Sequence, residues 1–598
     1  MDYDSCRSLP AMFFEQAERL GDKSFLWAKR AGRYQAISWA AAAGDVRRLA
    51  LGLRSLGIGR GERVGLVSEN RPEWVIADLA IMSAGAITVP AYVTHTTDDH
   101  RHVFSNSSAR AVIVSKPPLS ARVLAAANQV STIHTVITIE PATGQASAVD
   151  VRSWEEMLER GGEMADDTAE LVAAIEPDDL ACLMHTSGTG GVPKGVMTSH
   201  RNILANCRGA YRLLRMVGLS DDVFLNFLPL SHTYEHTAGM MFPISLGAQI
   251  YFAEGAETLA ANMLEARPTL MTAVPRLYET LHRRIRLAVE RRGSVSSRLF
   301  DKAIAIGGKR SLSQPLSFEE RLIDPVLDRL VRAKLRRRFG GRLKAMVSGG
   351  APLNPEIGSF FVALGVRLLQ GYGQTEAAPV IACNSPARIK IDTVGPPLDG
   401  VRVKIADDGE ILVAGDNVMK GYWNDPEATA QVLEDGWLKT GDVGLVDEDG
   451  YIRITDRKRD FIKNSGGETI SPARVEGYLT LEPEIAQAMV FGDRRPYLVA
   501  VVVPDQEFAA SYAPAGPAGD LRGLAADPGF IKAIGAGVAR VNQRLSSIER
   551  VRHFAIAAEP FTIANGQMTP TLKIKRHVIC EAYGTVLDAL YESKDIVA

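Results

Sequence analysis

Between Arg63 and Ser115 the chain reads RVGLVSE, then a helically spaced run from Pro72 through Met82, then AITVPAY, and later RAVIVS. Strand, helix and strand alternate, and the strands are nearly continuous apolar runs, so both of their faces must be covered. That combination argues for a parallel sheet with helices on its two sides. In such sheets ligands bind beyond the carboxyl ends of the strands, where the loops converge. A chain of 598 residues is too long for a single core, so further domains are expected.

The rest of the sequence extends this scheme. Ser24–Trp27 and Tyr34–Trp39 read as a hairpin, and a long helix is expected from about Ala40 to Gly57. PTLMTAVPRLYETL reads as strand, turn and helix, KAMVSGG as a strand leading into APLNPEIGSFF, and RLLQ as a strand entering GYGQTEAAPV. From Val394 to about Asp449 short strands and turns suggest an all-β subdomain. A charged linker, DRKRDFIK, then opens a small domain with strands AMVFGD and YLVAVVVP, a loop from Ala509 to Gly519 and a helix from about Pro528 to Leu545. The fold class expected is α/β: a large N-terminal domain (1–456, with its β subdomain about 394–456), a hinge at 457–460, and a small mobile α+β domain (461–598).

Composition excludes several classes. Lys plus Arg (68) nearly balances Asp plus Glu (70), which gives no reason to invoke nucleic acid. Five scattered cysteines without a C-x-x-C pair imply a reducing cytoplasm and no zinc site. The first residues lack the layout of a signal peptide, and the best apolar run, Thr237 to Ala253, is broken by Pro243, Ser245, Gly247 and Gln249. Two basic stretches, His282–Arg292 and Leu330–Arg338, read first as solvated helix faces, with a CoA-phosphate or membrane-surface role as the alternative.

The chemistry concentrates in HTSGTGGVPKGVMTSH, His185 to His200, directly after the apolar run Leu180–Met184. Thr186, Ser187 and Thr189 bring hydroxyls, Gly188, Gly190 and Gly191 allow close backbone approach, and Lys194 adds a positive charge. Such a turn suits a polyphosphate. It is not a P-loop, because Pro193 precedes Lys194 and Gly195-Val196 follow it in place of a magnesium-binding hydroxyl. In GYGQTE (Gly371, Tyr372, Gly373, Gln374, Thr375, Glu376) two glycines open a tight turn. A carboxylate beside a triphosphate needs a bridging divalent cation, so Glu376 is the candidate Mg²⁺ ligand, with Thr186 completing the shell. Tyr372 is placed to stack on an adenine, with Gly349-Gly350-Ala351-Pro352 as a flat backbone wall opposite. Asp442 in LKTGDVG is a small acceptor for two ribose hydroxyls, Arg457 offers a ribose or phosphate contact, and Gly466-Gly467 allow close passage of a thin ligand.

Taken together and in this order, these motifs resemble those of the adenylate-forming enzymes, the superfamily of acyl-CoA synthetases, luciferases and peptide-synthetase adenylation domains. Gly190 stands where those loops usually carry a second hydroxyl. NGQMTPTLKIKR, Asn565 to Arg576, is similar to the segment carrying the adenylation lysine, which maps to Lys573, with Lys575 as its neighbour. That form, with GGETISP and LPLSHTYEH, looks like the long-chain fatty acyl-CoA synthetases. The resemblance implies ATP, Mg²⁺ and coenzyme A, a fatty acid substrate, His232 near the substrate carboxylate, and rotation of the C-terminal domain on a hinge at Arg459. A peripheral membrane contact and a homodimer stay open as partners. Two other readings also stay open: an acyl-AMP ligase that loads a carrier protein or takes an aryl or polyketide acid, and a non-catalytic nucleotide- or acyl-CoA-binding relative.

Overall fold

The structure is a computed structural model that describes residues 1–142, 148–186, 193–255, 257–457, 461–512, 521–570 and 572–592. Two large sheets form the body. The first has seven strands in the spatial order Asp150–Ser153, Thr135–Thr138, Ala111–Val114, Arg63–Val67, Ile87–Pro90, Leu180–Thr186 and Lys194–Ser199. All neighbours in it are parallel except the last pair, an antiparallel hairpin whose connecting residues contain the polyphosphate candidate loop. The second has eight strands, in the order Val380–Cys383, Leu368–Gly373, Ala345–Ser348, Leu270–Ala273, Val223–Asn226, Gln249–Phe252, Ser24–Arg30 and Arg33–Ser38. Its interior pairs are parallel, with an antiparallel pair at each edge.

One core joins the two sheets. It includes Trp74, Ile76 and Ile81 from helix Pro72–Ser83, Ile113 from the first sheet and Phe224 and Ile250 from the second. Pro72 at the first position sets the start of that helix, and every residue but Glu73 is buried. An apolar residue on all sides is what a helix between two layers requires. Helix His200–Leu214, by contrast, has one buried face, and a Ser199–Asn202 capping box fixes its start.

The β subdomain is a five-stranded antiparallel sheet of Arg402–Ile405, Glu410–Ala414, Leu433–Glu434, Trp437–Val446 and Ile452–Arg457. It is not all-β, because Pro426–Val432 is helical, started by Asp425, whose side chain accepts from the Ala428 amide. The C-terminal lobe is a three-stranded sheet, Ile485–Phe491, Leu498–Pro504 and Val551–Ile556, packed by helices Pro472–Leu479, Pro528–Asn542 and Arg576–Glu592. Its two apolar clusters contain only residues from Ile462 onward. The loop expected from Ala509 begins later: helix Gln506–Tyr512 occupies the first four positions, because Ala509 and Phe508 pack onto this core. Among the described residues, no helix is long and apolar enough to cross a membrane.

Candidate active site

The carboxyl ends of the parallel strands from both sheets meet at one cleft. Asn70, just past strand Arg63–Val67, ties them together: its side chain donates to the Leu228 carbonyl (2.6 Å) and accepts from the Leu230 amide (2.9 Å). Those two residues lie in the LPLSH turn that follows strand Val223–Asn226 of the other sheet. A single asparagine therefore fixes the turn that carries His232, and nothing in its sequence neighbourhood announces this.

Of the polyphosphate loop, Thr186 ends one strand and Lys194 begins the next, while Ser187, Gly188, Thr189, Gly190 and Gly191 lie outside the described residues. The base of the loop is held by histidines. His102 bonds the Pro193 carbonyl through Nε2 (2.9 Å), and His185 Nε2 bonds Asn106 (3.0 Å). Burial pushes His185 down to about 3, so its ring is neutral. The Lys194 ammonium sits 5.2 Å from the Tyr422 ring centroid and 3.3 Å from Asp425. The Tyr422 hydroxyl in turn donates to Glu376 (2.8 Å). Tyr422 thus links two of the candidate residues, although it lies in none of the motifs.

The GYGQTE segment differs from expectation. Gly371-Tyr372-Gly373 is not a turn but the end of strand Leu368–Gly373, paired antiparallel with Val380–Cys383. The physical reason for Gly373 is the neighbouring strand: a Cβ there would lie 2.0 Å from the Pro379 carbonyl oxygen. Turning begins only afterwards, in the 3₁₀ turn Thr375–Ala377 that presents Glu376. The Gln374 Nε2 is buried without a partner among the described residues, an orphan donor of the kind a ligand satisfies.

Gly349-Gly350-Ala351-Pro352 follows strand Ala345–Ser348 as expected. Gly350 has φ +84°, and a Cβ on Gly349 would lie 2.9 Å from the Tyr234 ring, whose hydroxyl donates to the Val347 carbonyl. Asp442 is buried within strand Trp437–Val446, where it accepts from the Tyr372 hydroxyl (2.5 Å) and from Arg457 Nε (2.8 Å). Three residues chosen separately in the sequence are thus one hydrogen-bonded group. Arg457 is the last residue of strand Ile452–Arg457, and Arg459 lies outside the described residues.

The C-terminal lobe reaches this cleft. Burial first, and the Lys573 ammonium second, push His232 down to about 3, so the charge of a C-terminal lysine is felt at His232. Lys575 acts on a different residue: its charge adds to the burial that holds His95 at about 4. The turn bearing both lysines is closed by hydrogen bonds from the Thr569 amide to the Lys573 carbonyl and from the Lys575 amide to the Gln567 carbonyl. Gly466 and Gly467 form an exposed hairpin tip whose partners, Asn464 and Arg495, belong to the same lobe.

Beneath His232 the helix widens. Glu235–Met241 is a π-helix, in which Glu235 folds against Gly239: a Cβ there would meet the Glu235 carboxyl at 2.6 Å. Burial pushes Glu235 up to about 8, and Thr272 donates to it at 2.6 Å. His236 pairs with Asp78 at 2.9 Å, both fully buried, which ties the π-helix to helix Pro72–Ser83.

Glu376 is linked through Tyr422 to Lys194 at the end of the loop, and among the described residues no three metal-binding side chains cluster. So sparse a donor set is compatible with a magnesium ion held largely by substrate phosphates, for which Glu376 and Thr186 could supply protein oxygens.

Known proteins share this sequence and architecture. Residues 13–423 match the AMP-binding enzyme family, and residues 459–595 match the AMP-binding enzyme C-terminal domain. A long-chain-fatty-acid–CoA ligase of Mycobacterium bovis, FadD15, is 34% identical, the alignment covering 94% of this chain and 93% of the relative. The peroxisomal long chain acyl-CoA synthetase 6 of Arabidopsis thaliana is 32% identical over 94% of this chain and 82% of the relative. Among solved structures, the A domain of a carboxylic acid reductase from Segniliparus rugosus has the same fold, with a TM-score of 0.77 at 23% identity over 98% of this chain and 94% of that one. From the two-lobe fold, the ordered motifs and these matches, the chain belongs to the AMP-binding enzymes, the adenylate-forming superfamily, on its long-chain acyl-CoA synthetase branch.

Proposed function

We propose that the protein activates a long-chain fatty acid with ATP, forming acyl-AMP and pyrophosphate, and then transfers the acyl group to coenzyme A. The observation that carries this reading is that the separate nucleotide motifs meet in space: Asp442 accepts from Tyr372 and Arg457, and Tyr422 links Glu376 to Lys194. A carboxylate is a poor electrophile, and adenylation gives it a leaving group. In the first step a carboxylate oxygen attacks the α-phosphorus and pyrophosphate leaves. Negative charge spreads over the phosphates, so catalysis is mainly positioning and electrostatics. In this reading Lys573 and Lys194 supply positive charge, Asp442 accepts from the ribose, and His232, neutral and therefore not repelling an acid's apolar end, borders the carboxylate. Magnesium, held by Glu376 and Thr186, would neutralise phosphate charge. In the second step the CoA sulfur attacks the acyl carbonyl and AMP leaves.

Both steps need the same carbonyl, first closed in by Lys573 and later open to pantetheine. The reading therefore includes a swivel of residues 461–598 about 457–460, with Arg459 at the pivot, bringing Gly466-Gly467 to the pantetheine. A cytoplasmic protein with peripheral membrane contact and a homodimeric state accord with this use of a water-insoluble acid.

The test is ATP–pyrophosphate exchange over straight-chain acids of increasing length, followed by AMP release with free CoA or with a phosphopantetheine carrier. Each added methylene that is buried should tighten binding about fourfold until the pocket is full. Lys573→Ala should reduce exchange of order 10²-fold while sparing thioester formation from supplied acyl-AMP. No exchange with any acid would overturn the reading, and acceptance of the carrier alone would replace CoA with it.

A further inference from the structure

The most exposed large apolar side chains of the described residues are Phe318 (77%), Val295 (70%), Leu312 (70%) and Leu322 (63%). All four belong to one helical layer, built from Ser294–Ser311 and Phe318–Leu327 and continued through a π-turn, Asp328–Arg332, to Ala333–Arg338. Along the second helix Phe318, Leu322, Val326 and Leu330 are exposed at intervals of four residues. They make an apolar stripe about 18 Å long on the outer face. The opposite face is already used, with Leu327 buried and Ile323 and Val331 packed behind it. The helix's own acids are paired: Asp324 with Arg332 (2.7 Å) and Arg310 (2.6 Å), Glu320 with Lys309 (2.6 Å), and Asp328 with Arg336 (2.8 Å).

With those carboxylates neutralised by pairing, the uncompensated charge of this layer is cationic. Arg321, Arg329, Lys334, Arg337 and Arg338 are exposed, and among the described residues none has a carboxylate partner. Against them, Glu319 is the one acid along Phe318–Arg338 for which the described residues show no cation partner. An apolar stripe flanked by cations, lying along a helix rather than lining a groove, matches a planar anionic surface with an oily layer beneath it. A second copy docked by the same face would oppose cations to cations.

We propose that the outer face of Phe318–Arg338, with Leu312 at its start, docks the enzyme on anionic phospholipid bilayers. This rests on the peripheral membrane contact of the proposed function and deepens it by naming the face and the lipid charge, and vesicle binding is read separately from the exchange assay that tests the activation chemistry. Aliphatic side chains enter the headgroup boundary, and the arginines and lysines reach lipid phosphates.

The test is co-sedimentation of the full-length protein with vesicles of phosphatidylcholine alone or mixed with phosphatidylglycerol, at low and high salt. Wild-type protein should bind the mixed vesicles and be released by salt. Phe318→Ser with Leu322→Ser should weaken binding about tenfold or more, because the apolar area that would leave water on docking is lost. Arg321→Glu with Arg329→Glu should weaken it by a similar factor at low salt. All four positions are exposed, so an unchanged melting temperature would show that each variant folds. Failure of the wild type to bind mixed vesicles, or equal binding by both variants, would overturn the proposal. So would sedimentation velocity showing a wild-type dimer that the variants abolish, with vesicle binding unaffected.

Discussion

At the scale of single residues, the site works by placing groups in surroundings that fix their charge. Burial lowers His232 and His185 to about 3, so both are neutral at any physiological pH, and it raises Glu235 to about 8, so that carboxyl is mostly protonated near neutrality. Because the folded state holds the Glu235 proton more tightly than the unfolded chain does, stability falls as pH rises from about 4.5, the ordinary value, towards about 8. One such group sets a slope of about 1.4 kcal/mol per pH unit across that window. Glu235→Gln should flatten this part of the melting-temperature profile, and an unchanged slope would mean that the carboxyl is not held protonated. Asp78, Asn70 and Tyr422 belong to the same scale, yet none stood out in the sequence. Each acquires its role from a partner far along the chain: His236, the Leu228–Leu230 turn and Glu376.

At the scale of elements, the periodic segments follow the sequence closely. Helix Pro72–Ser83 and its flanking strands form where apolar spacing and Pro72 place them, because burial on all sides leaves no other arrangement. The GYG segment shows the limit of that reasoning. Glycine at 373 serves a close strand neighbour, and a turn and a close approach leave the same letter in the sequence. Gly373→Ala should push apart the pair Leu368–Gly373 and Val380–Cys383, costing of order 1–3 kcal/mol, because the clash is with backbone that cannot rotate away. Thermal denaturation checks this, and a variant as stable as wild type would mean the strands separate freely.

At the scale of the molecule, directed polar contacts join the two lobes. Arg276, in the first turn of Pro275–Glu290, donates to the Ala486 carbonyl (2.6 Å), Asn354 donates to the Gly477 carbonyl (3.0 Å), and Arg283 pairs with Asp505. Part of the basic stretch His282–Arg292 therefore faces the other lobe and is not simply solvated. Polar contacts of this kind suit a lobe that moves between two positions. Arg276→Ala should lower pyrophosphate exchange several-fold, with a smaller effect on thioester formation measured from acyl-AMP. Equal loss in both half-reactions would argue against a role confined to this arrangement of the lobes.

The sequence by itself determined the layered α/β body, the separate C-terminal lobe and the order of the nucleotide motifs, because periodicity and local turn chemistry are written over short stretches. Only the tertiary structure decided that Asp442, Tyr372 and Arg457 form one group, that Asn70 braces the His232 turn, and that the charge of Lys573 rather than Lys575 is felt at His232. It also decided which side of Phe318–Arg338 is left uncovered. Such facts depend on residues tens to hundreds of positions apart meeting in space, and no local pattern carries that information.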